Sequence, residues 1–115
     1  MIHTGRARRL DRARIRADLR EAVSAYVLIP PARETGRLTA RLTRHLTALL
    51  RMTEGQLAAC AAGSVDSVMR RASLDRARKA LAERPGQSPE GAADHVLSLH
   101  LILVELLGYL PKETS

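Results

Sequence analysis

Residues 88–111, SPEGAADHVLSLHLILVELLGYLP, are the stretch that decides the predicted fold. Ser88 supplies a hydroxyl cap, Pro89 occupies a position that needs no backbone donor, and Glu90 lies near the positive end of the helix. Pro111 ends the helix because the residue before a proline disfavours helical geometry. The central part of this helix is apolar on nearly every side, so other helices, a second copy of the chain or lipid must cover it.

Apolar spacing predicts three further helices upstream, over residues 10–28, 34–62 and 64–84. The second places leucines on one face and arginines on the opposite face, and we expect it to continue through Gly55 at a cost of about 1 kcal/mol. Gly63 is its predicted C-terminal cap. The residues expected to supply apolar contacts are Ile15, Leu19, Ala22, Val23 and Tyr26 in the first helix; Leu38, Leu42, Leu46, Leu49, Leu50, Leu57 and Cys60 in the second; and Val65, Val68, Met69, Ala72, Leu74 and Leu81 in the third.

Length and composition predict one helical domain. At 115 residues the chain is long enough for a core of its own, and with no Phe, no Trp and two Tyr that core must consist of Leu, Val, Ile, Ala and Met. The predicted fold is an all-α, antiparallel four-helix bundle over residues 14–111, preceded by a basic N-terminal arm over residues 1–13. The single cysteine, with no signal peptide or membrane-spanning apolar run in the sequence, favours a cytoplasmic location without membrane contact.

Positive charge is concentrated near the N-terminus. The net charge is +7, and residues 1–20 contain seven arginines and two aspartates. Arg8 and Arg12 fall on the face that buries Ile15, so we expect residues 1–13 to leave the bundle. Guanidinium groups pair with phosphates and carboxylates, so the arm is a candidate contact for nucleic acid or another acidic partner; the alternative is a solvated terminus. The candidate residues are Arg6, Arg8, Arg9, Arg12 and Arg14.

No set of residues in the sequence has the spacing of a catalytic, cofactor or metal site. His95 and His100 project about 140° apart on a helix, so they do not converge on one metal ion. Cys60 has no neighbouring base in the sequence to activate it as a nucleophile. No glycine cluster precedes a helix, as phosphate-binding loops require. The sequence therefore predicts a protein without catalytic activity, bound metal or cofactor.

Asp94, Ser98 and Glu105 form a polar strip on the fourth helix, within roughly 60° of one another. One interpretation is that this strip simply faces solvent. The other is that it is partly buried and faces arginines of another helix, or a ligand.

The fourth helix has more apolar surface than three thin, arginine-rich neighbours are expected to cover. Because an exposed apolar surface usually marks an interface, the sequence predicts a homodimer or another protein partner. The interface is predicted on the fourth helix or on the leucine face of the second. The candidate residues on the fourth helix are Leu99, Leu103, Leu106 and Leu110, which we expect, together with Val96, to be mostly buried.

Four segments carry a resemblance to a known family: ADLREAV at residues 17–23, LTARLTRHLTALL at residues 38–50, residues 72–86 ending in Arg-Pro-Gly, and the apolar helix over residues 95–110. Their order resembles an uncharacterised family of small helical proteins from actinomycetes, a domain of unknown function often labelled as a natural-product-biosynthesis protein. The resemblance covers about residues 15–110, and the arm before Ile15 is expected to be particular to this chain. It implies a genomic setting and supplies no catalytic residues.

These observations predict a non-enzymatic interaction or accessory protein, linked through the resemblance to natural-product biosynthesis. Two alternatives stay open. The first is a nucleic-acid-binding regulator that uses the arginine-rich arm. The sequence lacks stacking aromatics and a helix-turn-helix pattern, and both absences argue against this alternative. The second is an auxiliary protein that binds a small molecule in a pocket between helices.

Overall fold

The computed structural model describes residues 10–111, and within that range it contains four α-helices and no strand. They are α1 (Arg12–Leu28), α2 (Ala32–Ala59), α3 (Val65–Ala82) and α4 (Pro89–Leu107). The all-helical class predicted from the sequence is confirmed. None of the described helices has the length and apolar character needed to cross a membrane.

Side-chain caps begin three of the four helices. Asp11 accepts a hydrogen bond from the backbone N–H of Arg14 at the start of α1, and Ser64 does the same for Ser67 at the start of α3. The cap predicted for α4 is confirmed, because Ser88 Oγ accepts from the backbone N–H of Gly91 at 3.0 Å and Pro89 occupies the first turn.

The longest helix, α2, passes through Gly55 as predicted but ends at Ala59, three residues before the predicted end. Gly63 is therefore not its cap. Gly63 lies instead in the turn between α2 and α3, where its φ of +78° is a conformation that glycine adopts without steric strain. The other predicted boundaries agree with the structure to within three residues.

Two helices, α2 and α4, make the most extensive contact in the fold. Within the described residues α1 and α3 each pack against both of them and do not contact each other. The burial predicted for α4 is confirmed for Val96, Leu99, Leu103 and Leu106, which share one core with the leucines of α2, while Leu110 is half-buried at its edge. The buried leucines of α2 are Leu38, Leu42, Leu46 and Leu49.

The same burial corrects the predicted dimer interface on α4. Leu99, Leu103 and Leu106 are 0% exposed, so the chain's own helices already cover them. They are core residues, and a second copy has no access to them. The exposed apolar side chains of α4 are Leu101 and Val104.

Apolar contacts predicted for the flanking helices are wrong at several positions. In α1, Val23 and Tyr26 are exposed, and the inward face is formed by Ile15, Asp18, Leu19, Ala22 and Ala25. In α3, the apolar side chains of the first turns are exposed, and the buried contacts come mainly from Leu74 and the alanines after it. The exposed residues of α3 are Val65, Val68 and Met69.

The N-terminal residues that the structure describes contact the rest of the fold. Leu10 packs against the core, and Arg12 donates a hydrogen bond to the backbone oxygen of Pro111 at 2.8 Å. Leu10 and Arg12, which belong to the predicted arm, therefore contact the rest of the fold. Arg6, Arg8 and Arg9 lie outside the described residues.

Candidate interaction surface

A short connection of three residues joins α1 to α2. Pro30 and Pro31 prevent α1 from continuing, because a proline disfavours helical geometry in the residue before it. Ile29 takes a left-handed conformation, with φ 49° and ψ 67°, and its backbone N–H donates to the oxygen of Ala25 at 2.9 Å. This conformation costs a β-branched residue about 1–2 kcal/mol. The two prolines thus impose a tight turn at the end of α1.

Apolar side chains are exposed in the last turns of α1 and at Ile29. Val27 is 69% exposed and Leu28 is 76% exposed, although residues 22–32 contain no charged side chain that would keep this segment in water. An exposed cluster of this kind is typical of an interaction surface. We name it the apolar end of α1, consisting of Val23, Tyr26, Val27, Leu28 and Ile29.

A cleft of about 220 Å³ opens beside the apolar end of α1, and Leu28 belongs to both. Pockets that hold drug-sized ligands measure roughly 300–1,000 Å³, so this cleft has room for a side chain of a partner rather than for such a ligand. Its floor is apolar and its rim carries two carboxylates. The lining residues are Glu21, Ser24, Ala25, Leu28, Pro30, Glu34, Thr35 and Leu38.

A buried carboxylate joins α1 to α2 next to this cleft. Asp18 is 5% exposed; its Oδ2 lies 2.7 Å from His45 Nε2, and Arg41 Nε donates to its Oδ1 at 3.2 Å. Arg41 also donates to Glu21 at 2.9 Å. We call these four residues the Asp18 cluster.

The pKa of Asp18 reflects two opposing effects. Burial raises the pKa of this carboxyl, whereas the hydrogen bonds from His45 and Arg41 lower it, and their effect is larger. The pKa of Asp18 therefore lies below its ordinary value of 3.8. The cluster holds a charged carboxylate between two helices.

A second polar cluster joins α3 to α4. Glu105 accepts hydrogen bonds from Ser73 and Arg76, and the hydroxyl oxygens of Ser73 and Tyr109 lie 2.8 Å apart. The guanidinium of Arg70 stacks 4.6 Å from the centre of the Tyr109 ring. The hydrogen bond from Arg76 lowers the pKa of Glu105 below its ordinary value of 4.5, against the opposing effect of burial. We call Ser73, Arg76, Glu105 and Tyr109 the Glu105 cluster.

The predicted polar strip of α4 divides between solvent and this cluster. Asp94 and Ser98 are exposed, while Glu105 is half-buried and faces Arg76 of another helix. An open groove of about 320 Å³ runs beside it and includes Ser98 in its lining. The strip therefore does not form one continuous buried site.

The predicted arm residues that the structure describes have different surroundings. Arg12 is half-buried against Pro111, and Arg14 is exposed. Among residues 10–111 no group of three or more His, Cys, Asp or Glu side chains is arranged to hold a metal ion. His95 is half-buried, and burial lowers its pKa below the ordinary value of 6.5, against the opposing effect of Glu83.

The Asp18 cluster was not predicted from the sequence. A signal was present, because Asp18 falls in the apolar spacing of Ile15, Leu19 and Ala22, where a charged residue needs a partner. His45 falls beside the leucine face of α2 in the helical spacing, which does not by itself indicate a partner on α1. The pairing depends on how α1 and α2 are aligned, which the spacing within either helix does not define.

The fold and these two clusters define a small all-helical protein whose buried charges are paired between helices. The chain belongs to a family of unknown function, DUF6415, whose model matches residues 5–115. No curated protein matches the chain, and no solved structure matches it. Since the family match begins at residue 5, it includes most of the arm that we expected to be particular to this chain.

Proposed function

We propose that the chain is a non-enzymatic interaction or accessory protein that self-associates through the apolar end of α1. The observation that carries the proposal is the exposure of Val27 and Leu28 beside a cleft of side-chain size.

We also propose that the four helices form an antiparallel bundle. Its support is the position of the inter-helix contacts: Asp18 with His45, Gln56 with Arg70, and Ser73 with Glu105.

A second copy of the chain is the occupant that we propose for this surface. Most oligomers of soluble proteins have two-fold symmetry, in which one patch meets the same patch on the other subunit. Residues 22–32 carry no charge, so the apolar side chains of two copies can pack there while the carboxylates of Glu21 and Glu34 stay at the rim of the cleft. The cleft then receives an apolar side chain of the other copy, which gives the contact a buried anchor.

The test is the mass of the protein in solution. Sedimentation equilibrium at tens of micromolar should give a dimer for the natural chain and a monomer for the double variant V27E/L28E, because each glutamate would be buried without a partner. The matched control is V65E/V68E, at residues 73% and 59% exposed on α3, which should remain dimeric. A monomeric natural chain, or dissociation by the control pair alone, contradicts the proposal.

We propose that this accessory role belongs to natural-product biosynthesis, which is supported only by the family resemblance. We also propose that the protein acts in the cytoplasm. The non-enzymatic assignment is supported by the use of Asp18 and Glu105, which are engaged in contacts between helices. Binding of a small molecule is less well supported. In the groove beside Glu105, the carboxylate and Arg76 already engage each other.

A further inference from the structure

Four arginines form a straight row on the outer side of α2. Arg33, Arg37, Arg44 and Arg51 are all exposed, and helical geometry places them within about 40° of one another. The first and the last are separated by about five turns, or roughly 27 Å. We call these four residues the arginine face.

The arginine face is unpaired within residues 10–111. None of its four side chains makes a hydrogen bond or an ion pair there, whereas Arg41 of the same helix is held by Asp18 and Glu21. The nearest acids along the helix are Glu34 and Glu54. Glu34 lines the cleft next to α1, and Glu54 pairs with Arg78 of α3 at 2.7 Å. The positive charge of the face is therefore not neutralised by the fold.

Small residues separate these arginines. Gly36, Ala40, Ala48 and Gly55 lie between or beside them along α2, and the space next to both glycines is open. These small residues leave room for a polyanion to approach the guanidinium groups. The arginine face offers no aromatic ring on which an unpaired base could stack, as single-strand binders do.

We propose that the arginine face binds the phosphate backbone of duplex DNA without reading its sequence. A duplex segment of 27 Å carries roughly 16 phosphate charges distributed over two strands, and the long guanidinium side chains can reach the nearest phosphates whatever the base sequence. A straight, rigid helix suits a straight, rigid rod better than it suits a flexible single strand. Arg37, Arg44 and Arg51 do not line the cleft beside the apolar end of α1, so a dimer can bind DNA through these residues of each copy.

The test is a titration of labelled duplex DNA with the full-length chain at several salt concentrations between about 50 and 200 mM. Four phosphate contacts contribute about −3.6 to the slope of log affinity against log salt, at about −0.9 for each contact. The triple variant R37Q/R44Q/R51Q should bind more weakly and should have a slope shallower by about 2.7. Circular dichroism of each variant checks that the helices are retained.

The matched control is R20Q/R71Q/R84Q, which removes the same charge at three exposed arginines outside α2. It should change the slope much less than the first triple does. Equal losses in the two triples would show that only net charge matters and would overturn the proposal. So would a natural chain that does not bind at about 50 mM salt. Tighter binding to an RNA duplex or to polyglutamate than to duplex DNA would show that the preferred partner is not DNA and would overturn the proposal.

Discussion

The α1–α2 contact and the α3–α4 contact both contain a carboxylate held by an arginine, but they differ in exposure to water. The side chain of Asp18 is 7% exposed and that of Glu105 is 32% exposed. Their arginines differ in the same direction, at 28% for Arg41 and 58% for Arg76. The same chemical pairing is therefore found in a nearly dry setting on one side of the fold and in a wet setting on the other.

This difference determines what each cluster contributes to stability. Ion pairs in contact with water contribute little, because solvent screens the charges and the long side chains lose freedom. A buried charge is different, since removal of one partner leaves the other without solvation. We therefore expect the Asp18 cluster to be sensitive to substitution and the Glu105 cluster to be tolerant.

The largest expected effect comes from the apolar core that both clusters flank. Leu103→Ala should lower the free energy of unfolding by about 2–5 kcal/mol, because it removes a fully buried side chain and leaves a cavity. Urea unfolding measures this loss. A loss under about 1 kcal/mol would mean that α4 is peripheral. The two clusters would then not flank one shared core, and their effects on stability could not be compared.

The next effect concerns the buried cluster. Asp18→Asn should cost about 1–3 kcal/mol at neutral pH, because Arg41 and His45 lose a charged acceptor. Since the folded pKa of Asp18 lies below 3.8, its contribution is present above that pH and is lost as the pH falls through the folded pKa. Urea unfolding at neutral and acidic pH should show the variant and the natural chain converging in acid. A constant difference between them would contradict the assignment.

A smaller effect is expected from the exposed cluster. Glu105→Gln should cost less than about 1 kcal/mol, because water screens the pair that it forms with Arg76. The loss should shrink further in high salt, which affects exposed pairs most. If unfolding experiments give Glu105→Gln a larger cost than Asp18→Asn, burial is not what distinguishes the two clusters.

The smallest effect is a change of slope near neutral pH. Because the folded pKa of His95 lies below 6.5, the unfolded chain takes up a proton first, and stability falls as the pH decreases through 6.5 towards that folded pKa. His95→Gln should flatten this part of the profile of unfolding free energy against pH. Glu105→Gln is the control and should leave the slope near pH 6.5 unchanged. If the slope is the same in the His95 variant, burial of this histidine is not the cause of the fall in stability below pH 6.5.

Most of the helical framework could be predicted from local chemistry. Ser88 and Pro89 define the start of α4, and the leucine spacing defines the buried face of α2. Both effects depend on residues within one or two helical turns, so they can be predicted from the sequence. The exposed residues of α1 and α3 could not be predicted in the same way. Periodicity shows that Val23 and Val65 lie on an apolar side, but not whether a neighbouring helix extends far enough to cover them.

The candidate surfaces were less predictable than the helices. The arginine face is visible in the spacing of α2, but its lack of partners depends on where Glu34 and Glu54 are directed by other helices. The Asp18 cluster depends in turn on the alignment of α1 with α2. Leu103, a candidate interface residue, is a core residue because α4 packs against all three other helices; its apolar sequence required a cover but did not say whether that cover is this chain or a second copy.

The two tyrosines have a spectroscopic consequence. The chain contains no Trp, so its near-ultraviolet emission comes from Tyr26 and Tyr109 alone. Tyr26 is exposed on the apolar end of α1, whereas Tyr109 lies beneath the guanidinium of Arg70 and beside Ser73. A chain with Tyr26→Phe would emit only from the α3–α4 side, and one with Tyr109→Phe only from the surface proposed to self-associate. The molecule therefore carries one intrinsic fluorophore for each of its two flanks, and association and unfolding can be followed separately without an added label.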